Sequence, residues 1–216
     1  MAAIFHHRAN AVFRVVLVLL FGTPAVAVAG LMLLGRSPLG TQEQTPRSQP
    51  VQFDHRHHAG DEGIDCRYCH DGAERSAIAG VPASDKCMGC HAQVWNQSDK
   101  LALVRRSYFE DRPIRWVRVN QVPDFVFFDH SVHVHKGVGC VTCHGRVDRM
   151  PLVAKATPLN MGWCLDCHRD PAPHLRPREQ IASMTWTPEG DPRALGEKLM
   201  REYGVRTRTT CTTCHR

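Results

Sequence analysis

Large side chains are scarce in this chain, whose 216 residues include three tyrosines, four tryptophans and eight phenylalanines. So thin a supply leaves little with which to fill a conventional core. Charge of one sign is not concentrated either. A formal net charge of +6, dispersed along the sequence, provides no basic face of the kind that grips nucleic acid. Nor is there an isolated cysteine: all ten come in pairs.

Each pair is followed at once by histidine. The five signatures are Cys66-x-x-Cys69-His70, Cys87-x-x-Cys90-His91, Cys140-x-x-Cys143-His144, Cys164-x-x-Cys167-His168 and Cys211-x-x-Cys214-His215. Cys-x-x-Cys-His is the attachment pattern of c-type haem: the cysteines add across the two vinyl groups and the histidine reaches the iron. Five signatures that exhaust the cysteines point to five covalently attached haem c groups. All five end in His, so none carries the variant proximal residue that often signals an open, catalytic iron. Zinc is the competing reading, because Cys66/Cys69 with Cys87/Cys90 has four-cysteine spacing. Against it, every second cysteine precedes a histidine, and the fifth pair has no partner pair. With five haems after residue 50, each is served by about thirty-three residues, and porphyrin supplies much of the buried apolar surface. The expected fold is a multihaem cytochrome c, with low regular secondary structure, short helices around five haems and one N-terminal transmembrane helix. The densest basic stretch, Arg105, Arg106, Arg112, Arg115 and Arg118, reads as a solvated face or as partners for haem propionates.

An iron that only carries electrons needs a sixth ligand. Phe53-Asp54-His55-Arg56-His57-His58 and Phe128-Asp129-His130-Ser131-Val132-His133 share Phe, Asp and both outer histidines, and two signatures follow each. Residues 53–91 and 128–168 therefore read as duplicated two-haem units, with a fifth site at 211–215. Histidines at i and i+3 project from neighbouring points of a helical turn. His55 with His58, and His130 with His133, are thus expected to close neighbouring irons and hold their haems close enough for electron tunnelling. His57 and His135 fall off that spacing and are expected to be exposed. Four histidines for five irons leave one ligand to find; Met184 is the choice, with Met150, Met161 and His174 as alternatives. Methionine at that iron would raise its potential.

From Val15 to Leu34 twenty residues carry no charge, enough to cross a bilayer as a helix. The alanines at 25, 27 and 29 resemble a signal-peptide cleavage pattern, but the apolar run continues through Leu31-Met32-Leu33-Leu34. Arg8 and Arg14 on one side against Arg36 on the other put the amino terminus in the cytoplasm. The expected organisation is a cytoplasmic segment 1–14, a transmembrane anchor 15–36, a polar linker 37–52 and a periplasmic pentahaem domain 53–216. Val122 to Phe128 reads as an extended segment, and Leu195 to Tyr203 as an amphipathic helix.

Phe-x-His-x-x-His ahead of Cys-x-x-Cys-His resembles the small class III multihaem cytochromes. More specifically, the residues from His55 to Gly60 and Ile64 to His70, Gly80-Val81-Pro82 with Cys87 to His91, Pro123-Asp124-Phe125-Val126 with His130 and His133, and Met161 to Arg169 resemble the pentahaem cytochrome c subunit of alternative complex III. The likeness covers residues 51 to 216. It implies an electron-transfer subunit of a quinol:cytochrome c oxidoreductase, itself not an enzyme, in the inner membrane. Its implied partners are integral-membrane quinol-binding subunits, an iron–sulfur subunit and a cytochrome c acceptor. The alternative is a self-sufficient periplasmic quinol dehydrogenase that feeds a terminal reductase.

Overall fold

The structure, a computed structural model, describes residues 6–215. The chain divides into two units, Met1–Gln42 and Glu43–Arg216. In the first, a continuous helix runs from Ala9 to Arg36. Its 28 residues are long and apolar enough to cross a membrane; at 1.5 Å per residue they reach about 42 Å, against roughly 30 Å of hydrocarbon. The helix begins six residues before the uncharged run. Val18–Gly22 widens into a π-turn just ahead of Pro24, which has no N–H for the carbonyl four residues back. At the far end the Ser37 hydroxyl donates to the Leu34 carbonyl at 2.6 Å and accepts from the Gly40 N–H at 3.4 Å, which turns the chain.

The second unit contains no strand among the described residues, only the isolated bridges Glu43 to Lys155 and Val138 to Leu175. Short helices carry the signatures: Cys66–Cys69, Ser84–His91, Cys140–His144, Met161–Arg169 and Cys211–Cys214. The apolar core is as thin as the composition implies. One cluster gathers Val51, Met88, Leu101 and Val104; another gathers Leu175, Leu199 and Tyr203. The latter is built on helix Pro192–Glu202, which starts three residues before the amphipathic pattern. It lies so close to the turn Ala172–His174 that a Cβ on Gly196 would overlap the Ala172 carbonyl oxygen.

The duplicated units differ in local winding. His130–His135 is a turn and a half of α-helix, whereas the corresponding Arg56–Asp61 is π-wound. The wider turn lies against Val147–Arg149, and a Cβ on Gly60 would meet the Asp148 carbonyl oxygen at 2.6 Å. Position 60 therefore takes the one residue that lets the two backbones touch.

Candidate haem sites

A helical turn puts two cysteines three residues apart on one face, with the histidine next. Asp65 and Asn160 start two of these turns by accepting from the backbone N–H of Arg67 at 2.8 Å and of Trp163 at 2.9 Å. All ten cysteines are unbridged. The signature histidines are oriented through Nδ1, which meets a backbone carbonyl in four cases: His70 with Gly80 at 2.7 Å, His91 with Val94 at 2.9 Å, His168 with Arg208 at 2.9 Å and His215 with Phe125 at 3.1 Å. An imidazole that donates through Nδ1 presents a bare Nε2 lone pair, the form that binds metal.

The other histidines face these. His58 stands opposite His91 with ring centroids 6.1 Å apart, His130 opposite His144 at 6.3 Å with planes 7° apart, and His133 opposite His168 at 6.1 Å. Two imidazoles trans across one iron, with bonds of about 2.0 Å and roughly 1.2 Å from nitrogen to ring centre, need about 6.4 Å. The donor set thus fits a six-coordinate haem iron. Among the described residues, no group of three or more His, Cys, Asp or Glu converges as a metal site. Burial pushes the His55 and His144 imidazoles down to about 4 and lowers that of His133, with neighbouring histidines adding to each shift. All three are neutral near pH 7, as ligation requires. His55 lies beside His70, and its Nδ1 is buried without a hydrogen-bond partner.

The two copies build this geometry alike. Phe53 stacks on His58 at 4.3 Å and meets His55 edge-on at 4.7 Å; Phe128 stacks on His133 at 4.6 Å and meets His130 edge-on at 4.7 Å. Asp54 and Asp129 offer their carbonyls to Nδ1 of His58 at 3.0 Å and of His133 at 2.7 Å. The sequence shows both phenylalanines as part of the repeat; their role as a wedge between two imidazole rings emerges only in three dimensions.

The cysteine pairs also neighbour one another, in an order different from the sequence. Cys66 and Cys140 are in side-chain contact. Cys69 feels the charge of Cys90, and Cys87 that of Cys69. Cys143 feels Cys164 and Cys167, and Cys164 feels Cys214; burial pushes the Cys143 thiol up to about 12. The spatial series is therefore Cys87/Cys90, Cys66/Cys69, Cys140/Cys143, Cys164/Cys167, Cys211/Cys214.

His57 and His135 are exposed, as their spacing predicts. His215 stacks on Phe125 at 5.8 Å, and the Phe127 N–H donates to the Cys214 carbonyl at 2.7 Å; no second imidazole faces His215 among the described residues. Met184 follows the loop in which the Ile181 carbonyl accepts from the Cys140 N–H at 3.0 Å and the Ala182 carbonyl lies 3.8 Å from Cys66 Sγ. Met161 is exposed and Met150 half-buried, while His174 lines a cavity of about 270 Å³ with Thr142, Arg176 and Trp186. In the basic stretch, Arg105 is tied to the carbonyls of Asn96 and Ser98, and Arg106, Arg112 and Arg115 edge an open groove.

Residues 126–216 match the family model of cytochrome c7 and related cytochrome c, and residues 36–112 that of the class III cytochrome C family. A curated relative, the menaquinone reductase, multiheme cytochrome c subunit of Nitratidesulfovibrio vulgaris (strain Hildenborough), is 32% identical over 99 residues, which is 45% of this chain and 46% of the relative. The chain thus spans less than half the length of the curated relative it matches. With facing histidines and paired cysteines on short helices, and with residues 36–112 and 126–216 similar to these two cytochrome c families, the fold is that of a multihaem cytochrome c.

Proposed function

We propose that the chain is a membrane-anchored pentahaem c-type cytochrome in a quinol-linked complex of the alternative complex III kind. It carries electrons from integral-membrane quinol-binding and iron–sulfur partners to a periplasmic cytochrome c. The observation that supports this most strongly is the facing of His58 with His91, His130 with His144 and His133 with His168 at 6.1 to 6.3 Å. Haem iron closed on both faces by imidazole exchanges single electrons and leaves no position for substrate.

On this reading the ten cysteines hold five haems and His70, His91, His144, His168 and His215 are the proximal ligands. His55, His130, His58 and His133 close the irons of His70, His144, His91 and His168 in that order, which leaves the iron of His215 for a fifth ligand; Met184, the choice made from the sequence, follows the loop that contacts Cys66 and Cys140 instead. The cysteine pairs lay out five sites in a row, so donor and acceptor dock at opposite ends. The helix Ala9–Arg36 anchors the domain outside the cytoplasm, with Arg8 and Arg14 inside.

A second reading reverses the flow, with electrons delivered to menaquinone; the name of the N. vulgaris relative favours it. Purification in mild detergent tests both. The expected result is a chain with a five-haem mass increment, co-purifying with polytopic and iron–sulfur subunits in an assembly that reduces cytochrome c with a quinol. A chain that comes away alone and oxidises menaquinol by itself overturns the subunit reading. An assembly that reduces menaquinone and does not oxidise its quinol establishes the reverse flow.

A further inference from the structure

Arg176 is the one buried lysine or arginine among the described residues, with 9% of its surface exposed. Among the described residues, no carboxylate lies within ion-pair distance of it. Its guanidinium donates to the carbonyls of Ser183 at 2.9 Å and Gln180 at 3.3 Å and lies 5.2 Å from the centre of the Trp186 ring. These contacts satisfy N–H groups and leave the charge uncompensated, an arrangement that costs stability. The side chain is pressed against the residue before Cys140: a Cβ on Gly139 would overlap Nε and Cζ of the guanidinium. The loop it clamps, Gln180 to Ser183, contains the carbonyls that contact the Cys140 N–H and Cys66 Sγ. The cation is thus built into the place where the two duplicated halves meet, beside the sulfurs of two attachment sites.

Pairing with a propionate of either local haem does not explain this position. Cysteine sulfurs bond the vinyl edge of a c-type haem, and the propionates leave from the opposite edge. Arginine keeps its proton throughout the accessible pH range, so the charge is constant. A fixed positive charge in a medium of low effective dielectric favours whichever neighbouring redox state carries the additional electron.

We infer that Arg176 sets the potential of the junction between the two halves, raising the midpoints of the haems on Cys66/Cys69 and Cys140/Cys143 above what their bis-histidine ligation alone would give. The step it biases is the gain of one electron by ferric iron, with no proton transferred and no bond made or broken. The inference rests on the pentahaem reading of the preceding subsection.

The test uses the full haem-loaded chain in detergent, as wild type, Arg176→Met and Arg176→Lys. Denaturing mass spectrometry comes first, because a chain without five haems defeats the pentahaem reading itself and not the role of Arg176. A dithionite–ferricyanide titration followed optically and by electron paramagnetic resonance then reads the midpoints. Arg176→Met is expected to move two of the five components to lower potential and leave three in place, and Arg176→Lys to keep those two near their wild-type positions. Unchanged midpoints in Arg176→Met, a uniform shift of all five, or equal shifts in the two variants would overturn the inference and leave Arg176 as a clamp on its loop. A Met variant that fails to accumulate is replaced by Arg176→Gln, read against the same lysine control.

Discussion

The two copies, residues 53–91 and 128–168, solve one problem with different degrees of help from the rest of the chain. In the second copy the ring of His130 is fixed by the protein: Nδ1 meets the Ala77 carbonyl at 2.9 Å, and the backbone N–H groups of His130 and Ser131 reach Ala77 and Ser76 at 3.3 and 3.2 Å. These bonds come from the first copy, so the second is oriented on its neighbour. The equivalent His55 has the same phenylalanine against it but a buried Nδ1 with no partner. What orients His55 is packing and, on the proposed reading, its iron. Repetition of sequence has preserved the geometry of the phenylalanine and its two histidines while leaving one copy to brace the other.

Removal of each proposed ligand breaks the comparison most sharply. His55→Ala and His130→Ala are each expected to take one iron of five out of the low-spin population, read by electron paramagnetic resonance. His130→Ala also removes the Nδ1 bond to the Ala77 carbonyl, a loss of about 0.5–1.5 kcal/mol, which its counterpart avoids. It should melt below His55→Ala, by roughly 2–4 °C for each kcal/mol. Equal melting temperatures would show that the bond to Ala77 does not brace the second copy.

Position 60 and its counterpart 135 give the next largest contrast. Gly60 lets the π-turn of the first copy lie on the Asp148 carbonyl, while the exposed His135 ring is bonded back to the Ser131 carbonyl at 2.7 Å and the bond its own carbonyl accepts from Arg178 does not depend on the side chain. Gly60→Ala forces the backbones apart, at about 1–3 kcal/mol; His135→Ala is expected to stay within about 0.5 kcal/mol of wild type. Denaturant titration of both variants measures the difference, and a neutral Gly60→Ala would mean that the contact yields without cost.

These contrasts mark where the sequence was legible. Signature and repeat are local patterns, so the short helices, the thin core and the alignment of His55 with His130 and His58 with His133 could be read directly. Which imidazole faces which is a product of chain reversal, and nothing in the spacing says that Cys66 lies beside Cys140 rather than beside Cys87. The π-winding at Arg56–Asp61 was equally hidden, because the histidine spacing suits an ordinary helical turn and the wider turn answers to a carbonyl almost ninety residues away. Arg176 sits in a proline-flanked stretch that reads as surface loop. Its burial depends on Gly139, Trp186 and the Ser183 carbonyl closing round it, three positions with no common motif.

The smallest effect concerns an ion pair that follows the first signature of each copy. Arg146 donates to Asp148 through Nε at 2.8 Å, with 12% of the Asp148 side chain exposed. In the first copy Arg75 and Asp71 are 3.6 Å apart in open solvent. The Arg146 guanidinium holds the Asp148 carboxyl below its ordinary 3.8. Because the folded value is depressed, the stabilisation is fully present above the unfolded value and disappears as pH falls through the folded one. Arg146 is a third exposed, so solvent screening limits the pair to about 1 kcal/mol or less. Asp148→Asn should therefore lower the melting temperature by a few degrees at pH 6 and converge on wild type as the pH drops below the folded value, while Asp71→Asn should follow wild type throughout. The turn held by that pair is the one that Gly60 touches. An Asp148→Asn variant that melts like wild type at pH 6 would place its rigidity in the backbone contact alone.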